Sequence, residues 1–268
     1  MLSVRRVLPI AVAALVALAA AASAAGVERP GQADSFAWQL QGRIAPVTRR
    51  AAVIDIDLFD VPAKTIAELR VAGRYVICYV SVGSWESWRP DKNDFPDAVI
   101  GNPYYGWKGE RWLDISRLDL VGPPLAARLD LARDKGCDAV EPDNLDGWQY
   151  RERGGTGFDL GKRDAVALIR WLLAEGHARG LAVGLKNVPE LVRSVGLKTD
   201  FAITEDCAEW RSCSDYRPML DEGLAVFHVH YTDTDPDFAE ICRKADPRET
   251  HILKKRSLKA WVRNCPGK

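Results

Sequence analysis

Two acidic clusters in this chain carry the residue types that acid–base chemistry requires. The first is Glu141-Pro142-Asp143-Asn144-Leu145-Asp146, which follows an apolar segment over residues 137–140. The second is Glu205-Asp206, at the end of the apolar segment 201–204. Carboxylates buried at the end of a strand are costly unless they meet a ligand, a cation or each other. Two carboxylates on different strands are what glycosidic hydrolysis needs, one to protonate the leaving oxygen and one to stabilise or attack the anomeric carbon.

Asp143 and Glu205 are the first candidates for a catalytic pair, with Glu141 or Asp146 as alternatives to Asp143. Glu141 and Asp143 are two residues apart, so along a strand they share one face. Lys186 lies on the strand predicted between the two acidic ones. A cation there would hold one carboxyl ionised while burial raises the pKa of the other.

Three other interpretations of the acids remain open. Single acids could only cap a helix or pair with Lys186. The Asp143 cluster could hold a divalent cation in a metal-dependent hydrolase, since hard cations favour carboxylates. The neighbouring Lys186 argues against that cation, so we expect no metal and no cofactor. A barrel that binds carbohydrate without turning it over is the third alternative, because a fold alone does not establish function.

The elements predicted around these acids alternate between strands and helices. Strands are predicted at residues 52–56, 75–80, 111–115, 137–141, 182–186, 201–204, 225–229 and 250–253. Helices are predicted at residues 63–72, 118–135, 161–179, 189–195, 216–221 and 236–245. This alternation is typical of an α/β fold, a (β/α)8 TIM barrel in a single domain. A doubly wound open sheet is less favoured because no glycine-rich phosphate loop follows the first strand.

Polar side chains concentrate where the predicted strands end. In a barrel of parallel strands these ends share one face, and that face holds the active site. We therefore expect a catalytic mouth in which the substrate-binding residues are Asp57, Tyr79, Trp85, Glu86, Glu141, Asp146, Lys186, Asn187 and Tyr231.

A long connection between the second and third predicted strands is rich in aromatic residues. Loops of this length are functional or disordered in most barrels. Its side chains could line a sugar cleft together with Trp148, or could pack against one another; they are Trp85, Trp88, Tyr104, Tyr105 and Trp107.

The N-terminus has the pattern of a secretory signal peptide. Arg5 and Arg6 precede an apolar run over residues 7–22, which ends at Ala22-Ser23-Ala24. The run is shorter than the ~20 residues that a membrane span needs. We expect cleavage near Ala24, with residues 1–24 as the signal peptide and 25–268 as one barrel domain. The protein would be secreted or periplasmic, monomeric, and without membrane association after cleavage.

The charge balance excludes a general nucleic-acid binder. The chain of 268 residues has 37 basic and 37 acidic side chains. Cleavage would remove Arg5 and Arg6 and leave about two net negative charges, so no basic excess is available to neutralise phosphates.

Six cysteines in an exported chain predict disulfides. Cys207 and Cys213 lie close together in one loop, and a bond between Cys242 and Cys265 would pin the last helix. The remaining two, Cys78 and Cys137, fall in apolar strands and are predicted to be small buried hydrophobic side chains.

The histidines do not predict a metal site. His228 and His230 are two apart on one predicted strand, but the sequence offers no third ligand at suitable spacing. His177 and His251 are predicted to be structural.

Five segments resemble, in order, glycoside hydrolase family 114, the endo-α-1,4-polygalactosaminidases, which are TIM barrels. They are residues 76–86 (VICYVSVGSWE), 111–115 (RWLDI), 141–146 (EPDNLD), 184–187 (GLKN) and 203–207 (ITEDC). The resemblance implies an endo-acting hydrolase of α-1,4-linked galactosamine polymers, wholly or partly de-N-acetylated. The family's catalytic Asp and Glu correspond to Asp143 and Glu205. The partner would be a cationic polysaccharide, which an acidic, aromatic-lined groove suits.

Two positions differ from the pattern in relatives. Many relatives carry Glu where His230 precedes Tyr231, so we expect sugar preference to move toward more acetylated or neutral chains. Relatives commonly carry Gln where Asp206 follows Glu205. We expect this extra acid to raise the pKa of Glu205, in favour of a general-acid role.

Overall fold

Short strands and amphipathic helices alternate along the computed structural model, which describes residues 26–151, 154–234 and 236–267. The strands are β1 (Phe36–Gln39), β2 (Val53–Asp57), β3 (Tyr75–Ser81), β4 (Ser84–Glu86), β5 (Ile100–Pro103), β6 (Glu110–Leu113), β7 (Ala139–Asp143), β8 (Ala182–Lys186), β9 (Phe201–Glu205), β10 (Ala225–Tyr231), β11 (Thr250–Lys254) and β12 (Val262–Asn264). The α-helices are α1 (Ala63–Val71), α2 (Leu118–Lys135), α3 (Lys162–Ala178), α4 (Arg217–Asp221) and α5 (Phe238–Lys244). The predicted signal peptide lies outside the described residues, and none of the helices within them is long and apolar enough to cross a membrane.

One sheet forms the barrel, in the order β1-β2-β3-β7-β8-β9-β10-β11-β12. The first eight of these strands are parallel, and β12 pairs antiparallel with β11. The Thr250 hydroxyl at the start of β11 donates to the Asp34 carbonyl just before β1, at 2.9 Å, which brings the two ends of the parallel series together. The expected single-domain (β/α)8 barrel is confirmed.

Seven of the eight predicted strands are barrel strands, but the one predicted at residues 111–115 is not. That segment forms β6, which pairs antiparallel with β4 and β5 in a small separate sheet. The eighth barrel strand is β1, which was not predicted. All four residues of β1 are buried, so the segment shows no alternation of apolar and polar side chains that would reveal a strand.

Alternation along the strands separates an inner from an outer core. Phe36, Phe201 and Phe227 fill the barrel interior, where the rings of Phe36 and Phe227 stack at 4.5 Å. Gly184 leaves space for this filling, because a Cβ there would lie 2.6 Å from the Phe201 ring. Alternate residues, such as Ile54, face outward against the helices. Successive side chains of a strand point to opposite faces, so every second residue of a barrel strand faces the interior along its whole length.

Three disulfides link the described residues: Cys78–Cys137, Cys207–Cys213 and Cys242–Cys265. The last two are as predicted. Cys78 and Cys137 are buried as predicted, and the structure adds the bond between them, which the sequence left open. Although 59 residues separate them, Cys78 lies on β3 and Cys137 just precedes its sheet neighbour β7, so the barrel order brings the thiols together.

Removing the Cys78–Cys137 bond should destabilise the fold more than removing the Cys207–Cys213 bond. The two bonds close loops with sequence separations of 59 and 6 residues. The chain-entropy relation assigns them about 4 and about 2 kcal/mol. Guanidinium unfolding of the double variants Cys78→Ala/Cys137→Ala and Cys207→Ala/Cys213→Ala measures both losses. Equal losses would contradict this ranking.

Candidate active site

The carboxyl ends of the parallel strands surround a cavity of about 850 Å³. It brings together most of the residues predicted to form the site: Asp57, Tyr79, Glu86, Asp143, Asp146, Lys186, Asn187, Glu205 and Tyr231. Two predicted residues do not line it. Glu141 is buried beneath the cavity floor, and Trp85 packs against the outer core with its indole nitrogen donating to the Lys92 carbonyl at 2.8 Å.

The Lys186 ammonium group is the centre of the site. Its Nζ lies 2.8 Å from Glu141 Oε1, 3.0 Å from Asp143 Oδ1 and 3.2 Å from Glu205 Oε2. An ammonium group has three N–H donors, and three carboxylates surround this one. Burial alone would lower the pKa of Lys186, but the three carboxylates outweigh it and raise that pKa well above its usual value. Lys186 is therefore a fixed cation that joins the acids, as its predicted position between the two acidic strands indicated. It also lines the cavity, and its contact with substrate stays a prediction.

Asp143 and Glu205 are the acids of this group that reach the cavity. Their side chains are 17% and 26% exposed, whereas that of Glu141 is 1% exposed. The Tyr79 hydroxyl donates to Asp143 Oδ2 at 2.9 Å, and the Tyr231 hydroxyl donates to Glu205 Oε1 at 2.5 Å. Each catalytic candidate is thus held by one tyrosine and by the shared Lys186.

The two carboxyl groups are close together because they share one nitrogen. Asp143 Oδ1 and Glu205 Oε2 each lie within 3.2 Å of Lys186 Nζ. The separation of these oxygens therefore cannot exceed about twice that distance. Carboxyl pairs in retaining glycosidases lie about 5–5.5 Å apart, and pairs in inverting ones about 6.5–9.5 Å.

The expected raised pKa of Glu205 is wrong, although the charges of Glu205 and Asp206 do act on each other. Burial works to raise the pKa of Glu205, but Lys186 and hydrogen bonds from Tyr231 and Asn187 outweigh it, so the pKa is lowered. Asp206 points elsewhere: its Oδ1 accepts from the Tyr231 backbone N–H at 3.0 Å. Its Oδ2 accepts from the Arg256 guanidinium at 2.7 Å.

A second buried carboxyl layer lies under the floor. The Trp38 indole N–H donates to Glu141 Oε2 at 2.9 Å. Asp55 is fully buried beside Glu141. Burial and the neighbouring Glu141 raise the pKa of Asp55 well above its usual value. This favours the neutral carboxylic acid, so the layer beneath Lys186 adds less negative charge than its composition indicates.

Two predicted sugar ligands are already paired with arginine. Arg89 forms a bidentate contact with Asp57, at 2.9 and 2.7 Å, and lies 2.8 Å from Glu86. Arg128 lies 3.8 Å from Glu86 on its other side. These pairs neutralise one wall of the cavity and stabilise the loop that follows β3.

Among the cavity acids outside this arginine cluster, Asp146 and Glu110 have the largest increases in pKa. Burial, followed by the charge of Asp143, raises the pKa of Asp146 to about 6. Burial raises the pKa of Glu110 to about 7, against the hydrogen bond that the Ser84 hydroxyl donates to it. Glu110 was not predicted as a site residue, because it reaches the cavity from the small sheet that holds β6.

Aromatic side chains form the rim of the cavity. Trp88 and Trp107 are 51% and 47% exposed on the side of the loop after β3, and Trp210 is 71% exposed after β9. Trp38, Trp210 and Arg256 line the cavity although none was predicted to. Of the predicted aromatic wall, Trp88, Tyr104 and Trp107 line the cavity, while Tyr105 and Trp148 do not.

The backbone turns sharply after each strand that supplies a central residue. Asn144, Asn187 and Asp206 directly follow Asp143, Lys186 and Glu205, and their φ angles are 65°, 53° and 50°. Left-handed conformations are uncommon outside glycine, although Asn and Asp adopt them most readily. Such conformations concentrate at functional sites, where surrounding structure holds them.

His230 does not take part in the site. Neighbouring residues on a strand point to opposite faces, so Tyr231 faces the cavity and His230 faces the outer layer, where its ring contacts Phe238 and His251. The expected change of sugar preference stays a prediction, and it would not come from a contact between His230 and a sugar in the cavity.

A parallel barrel whose mouth holds two cavity-facing carboxylates on a shared lysine has the architecture of a TIM-barrel glycoside hydrolase. The chain belongs to glycoside-hydrolase family GH114, whose family model matches residues 16–268.

Solved structures agree with this assignment. A crystal structure of Aspergillus fumigatus Ega3 in complex with galactosamine is 35% identical, with a TM-score of 0.83 over 90% of this chain and 98% of that one. The glycoside hydrolase domain of PelA from Pseudomonas aeruginosa is 14% identical, with a TM-score of 0.63 over 85% of this chain and 97% of that one. The latter shows the fold alone. No curated protein sequence matches the chain.

Replacing Tyr231 with Phe should raise the pKa of Glu205. The hydroxyl donates to the ionised carboxylate, and a hydrogen bond to a charged group is worth about 1.5–3 kcal/mol, or about one to two pH units. NMR titration of protein with ¹³C-labelled glutamate carboxyls measures the shift. Tyr79→Phe is the matched control, because its hydroxyl donates to Asp143 and the Glu205 titration should change little. An unchanged pKa in Tyr231→Phe would contradict the prediction.

Proposed function

We propose that this protein is a secreted, endo-acting hydrolase of α-1,4-linked galactosamine polysaccharide. The observation that carries the proposal is the charge of the cavity. Its described lining includes eleven acidic residues, Asp57, Asp60, Glu86, Glu110, Asp143, Asp146, Glu190, Glu205, Asp206, Glu209 and Asp215, against the bases Arg89, Lys186 and Arg256. The chain as a whole has equal numbers of acidic and basic residues.

Such a local excess of acid attracts a cationic polymer. Free galactosamine units carry an ammonium group, and the 35% identical Ega3 was crystallised with galactosamine. Asp146 and Glu110 have no ion pair among the described residues, so they are available to a substrate amine, unlike Asp57 and Glu86. The acidic cavity and the relative together support a galactosamine polymer over a neutral glycan.

The reaction would use Asp143 as nucleophile and Glu205 as general acid and base. An Asp143 oxygen bonds to the anomeric carbon while the glycosidic bond breaks, and the Glu205 proton goes to the leaving oxygen. Glu205 then takes a proton from water, whose oxygen attacks the same carbon and releases Asp143. Glu205 suits the role of general acid and base because it is the longer and more exposed of the two side chains. The leaving group and water can therefore reach it.

The lowered pKa of Glu205 in the free protein is compatible with this role. Burial is the largest influence that raises it. A bound sugar would displace water from the cavity and increase that burial, which favours the protonated form that an acid needs. Lys186 and Tyr79 meanwhile hold the Asp143 carboxyl in place, through contacts at 3.0 and 2.9 Å.

The position of the rim tryptophans supports cleavage within a chain. Three strand steps separate β3, which precedes Trp88 and Trp107, from β9, which precedes Trp210. In an eight-stranded barrel this places them nearly across the mouth from each other. Sugars stacked on both sides would extend the polymer past the catalytic acids in both directions, as an endo-acting enzyme requires.

Export is supported by two features. The first 24 residues have the charged start, apolar middle and small-residue end of a signal peptide. The three disulfides require an oxidising compartment to form and persist.

Hydrolysis of α-1,4-galactosamine polymer by the purified protein tests the function. We expect oligosaccharides of several lengths early in the reaction. Asp143→Asn removes the nucleophile and Glu205→Gln the acid–base group, so each should lose activity by about a thousandfold. Glu209→Gln is the matched control, since it neutralises an exposed acid at the rim and should retain most activity. Sugar release in single units from the chain end would contradict the endo mode.

Binding without turnover would contradict the catalytic proposal. A non-catalytic carbohydrate-binding barrel would retain polymer affinity in the wild type, in Asp143→Asn and in Glu205→Gln, and none of them would release products. Isothermal calorimetry on the same samples measures polymer binding. If the true substrate is another polysaccharide, the galactosamine polymer should neither bind nor react.

The product should keep the α configuration at the new reducing end. The shared Lys186 nitrogen brings one oxygen of each carboxyl close together, which favours the carboxyl separation of retaining enzymes, about 5–5.5 Å, over the about 6.5–9.5 Å of inverting ones. Proton NMR of the anomeric signal, recorded before mutarotation, measures the configuration. An initial β product would show inversion and would remove the covalent role assigned to Asp143.

A further inference from the structure

A buried cluster of histidine and glutamate lies on the outer face of β10 and β11. His228 and His251 are register partners on these two strands. Glu249 precedes His251 by two residues and therefore shares its face. All three are nearly or fully buried, with exposures of 0%, 3% and 8% for His228, His251 and Glu249. The sequence pattern predicted no metal site because it showed only His228 and His230, whereas the additional ligands come from the neighbouring strand.

We propose that His228, Glu249 and His251 bind one Zn²⁺ ion that joins the last two parallel strands of the barrel. Two imidazoles and a carboxylate are a ligand set that zinc uses, with water or another group in the fourth position. Nitrogen and oxygen donors of this kind suit zinc better than calcium or magnesium, which favour oxygen ligands alone.

The distances fit such an ion after small adjustments. The donor atoms all lie within 4.8 Å of one another. His228 Nε2 lies 3.7 Å from Glu249 Oε1, and His251 Nε2 lies 3.1 Å from Glu249 Oε2. Donor atoms at about 2.0–2.1 Å from a tetrahedral zinc lie about 3.3 Å apart. The imidazole rings of His228 and His251 stack with centroids 4.5 Å apart at 28°, and the adjustment needed is a small movement of His228 toward Glu249.

Two features of the cluster call for a cation. His228 Nε2 is fully buried and has no hydrogen-bond partner among the described residues. The ion pairs of Glu249 within the same part of the chain are with His228 and His251, and none is with lysine or arginine. A buried carboxylate without a permanent cation is costly, and a metal ion would satisfy both groups.

The remaining ring nitrogens are held in the way that metal-bound histidines require. The Thr204 hydroxyl lies 2.7 Å from His228 Nδ1, and His230 Nε2 lies 3.0 Å from His251 Nδ1. Such contacts fix the orientation of a ligating imidazole and leave its other nitrogen for the metal. Cys207 Sγ is also 3.2 Å from His228 Nδ1, but it is bonded to Cys213 and does not supply a thiolate.

The ion would have a structural role, separate from the proposed hydrolysis. The cluster faces the outer layer, whereas Tyr231 on the same strand faces the cavity. The proposal therefore does not depend on the identity of the sugar, and it can fail while the glycosidase proposal stands.

Metal analysis of the untagged, secreted protein tests the site. The zinc content is first measured on protein expressed with zinc in the medium. The chain is then unfolded in guanidinium with EDTA, its disulfides intact, and refolded with Zn²⁺ or with EDTA. We expect one zinc per chain and a higher thermal midpoint in the zinc-refolded sample. Co²⁺ in place of Zn²⁺ should give the visible absorption bands of a tetrahedral site.

His228→Asn and Glu249→Gln are the variants, and His177→Asn is the matched control. His177 pairs with Asp200 on another side of the barrel, so its loss should leave zinc content unchanged. Both site variants should lose zinc affinity by about tenfold or more, together with the thermal shift. If His228→Asn does not fold, Glu249→Gln decides, because it keeps the side-chain volume and removes the charge.

The proposal is overturned if the wild type holds no zinc in either preparation. It is also overturned if Glu249→Gln binds zinc as tightly as the wild type, since the ion would then lie elsewhere. In either case the cluster would be a neutral hydrogen-bonded network around the Glu249 carboxylate.

Discussion

The site depends on one buried ammonium group, that of Lys186, shared among three carboxylates on neighbouring strands. Without it, Glu141, Asp143 and Glu205 would place several negative charges close together inside the barrel, where water screens them poorly. With it, Asp143 and Glu205 remain near each other, and Lys186 lowers the pKa of Glu205 in the free protein. The two short contacts to Lys186 bring Asp143 and Glu205 close together. This proximity is the basis of the retaining course that we propose.

The barrel makes this contact possible by aligning the inward face of each strand. The register of β3 with β7 puts Tyr79 beside Glu141, and Ser81 beside Asp143. Every second residue then faces the axis, so acids near the strand ends meet above a filled hydrophobic interior. Left-handed residues, such as Asn144, directly follow these strands.

Opposite faces of a single strand serve different purposes in this protein. On β10, Tyr231 points inward to Glu205, while His228 and His230 point outward into a buried polar cluster with Glu249 and His251. One substitution relative to the family pattern, His230, belongs to the outer cluster. A substitution at the position next to an active-site residue can thus affect the outer layer of the barrel and leave the substrate cavity unchanged.

The sequence by itself determined the fold class, most strands, two of the three disulfides and the acids Asp143 and Glu205. These follow from local information: alternation of apolar residues, helix periodicity, and polar residues at strand ends. Tertiary structure decided the rest. The order of the strands in the barrel brings Cys78 to Cys137, where they form a disulfide, and places His228 beside His251. Glu141 is buried whereas Asp143 reaches the cavity, and Arg89 binds the Asp57 carboxylate. Trp38, Glu110 and Trp210 reached the cavity from elements whose position no local pattern reveals, because pairing between distant strands depends on the barrel as a whole.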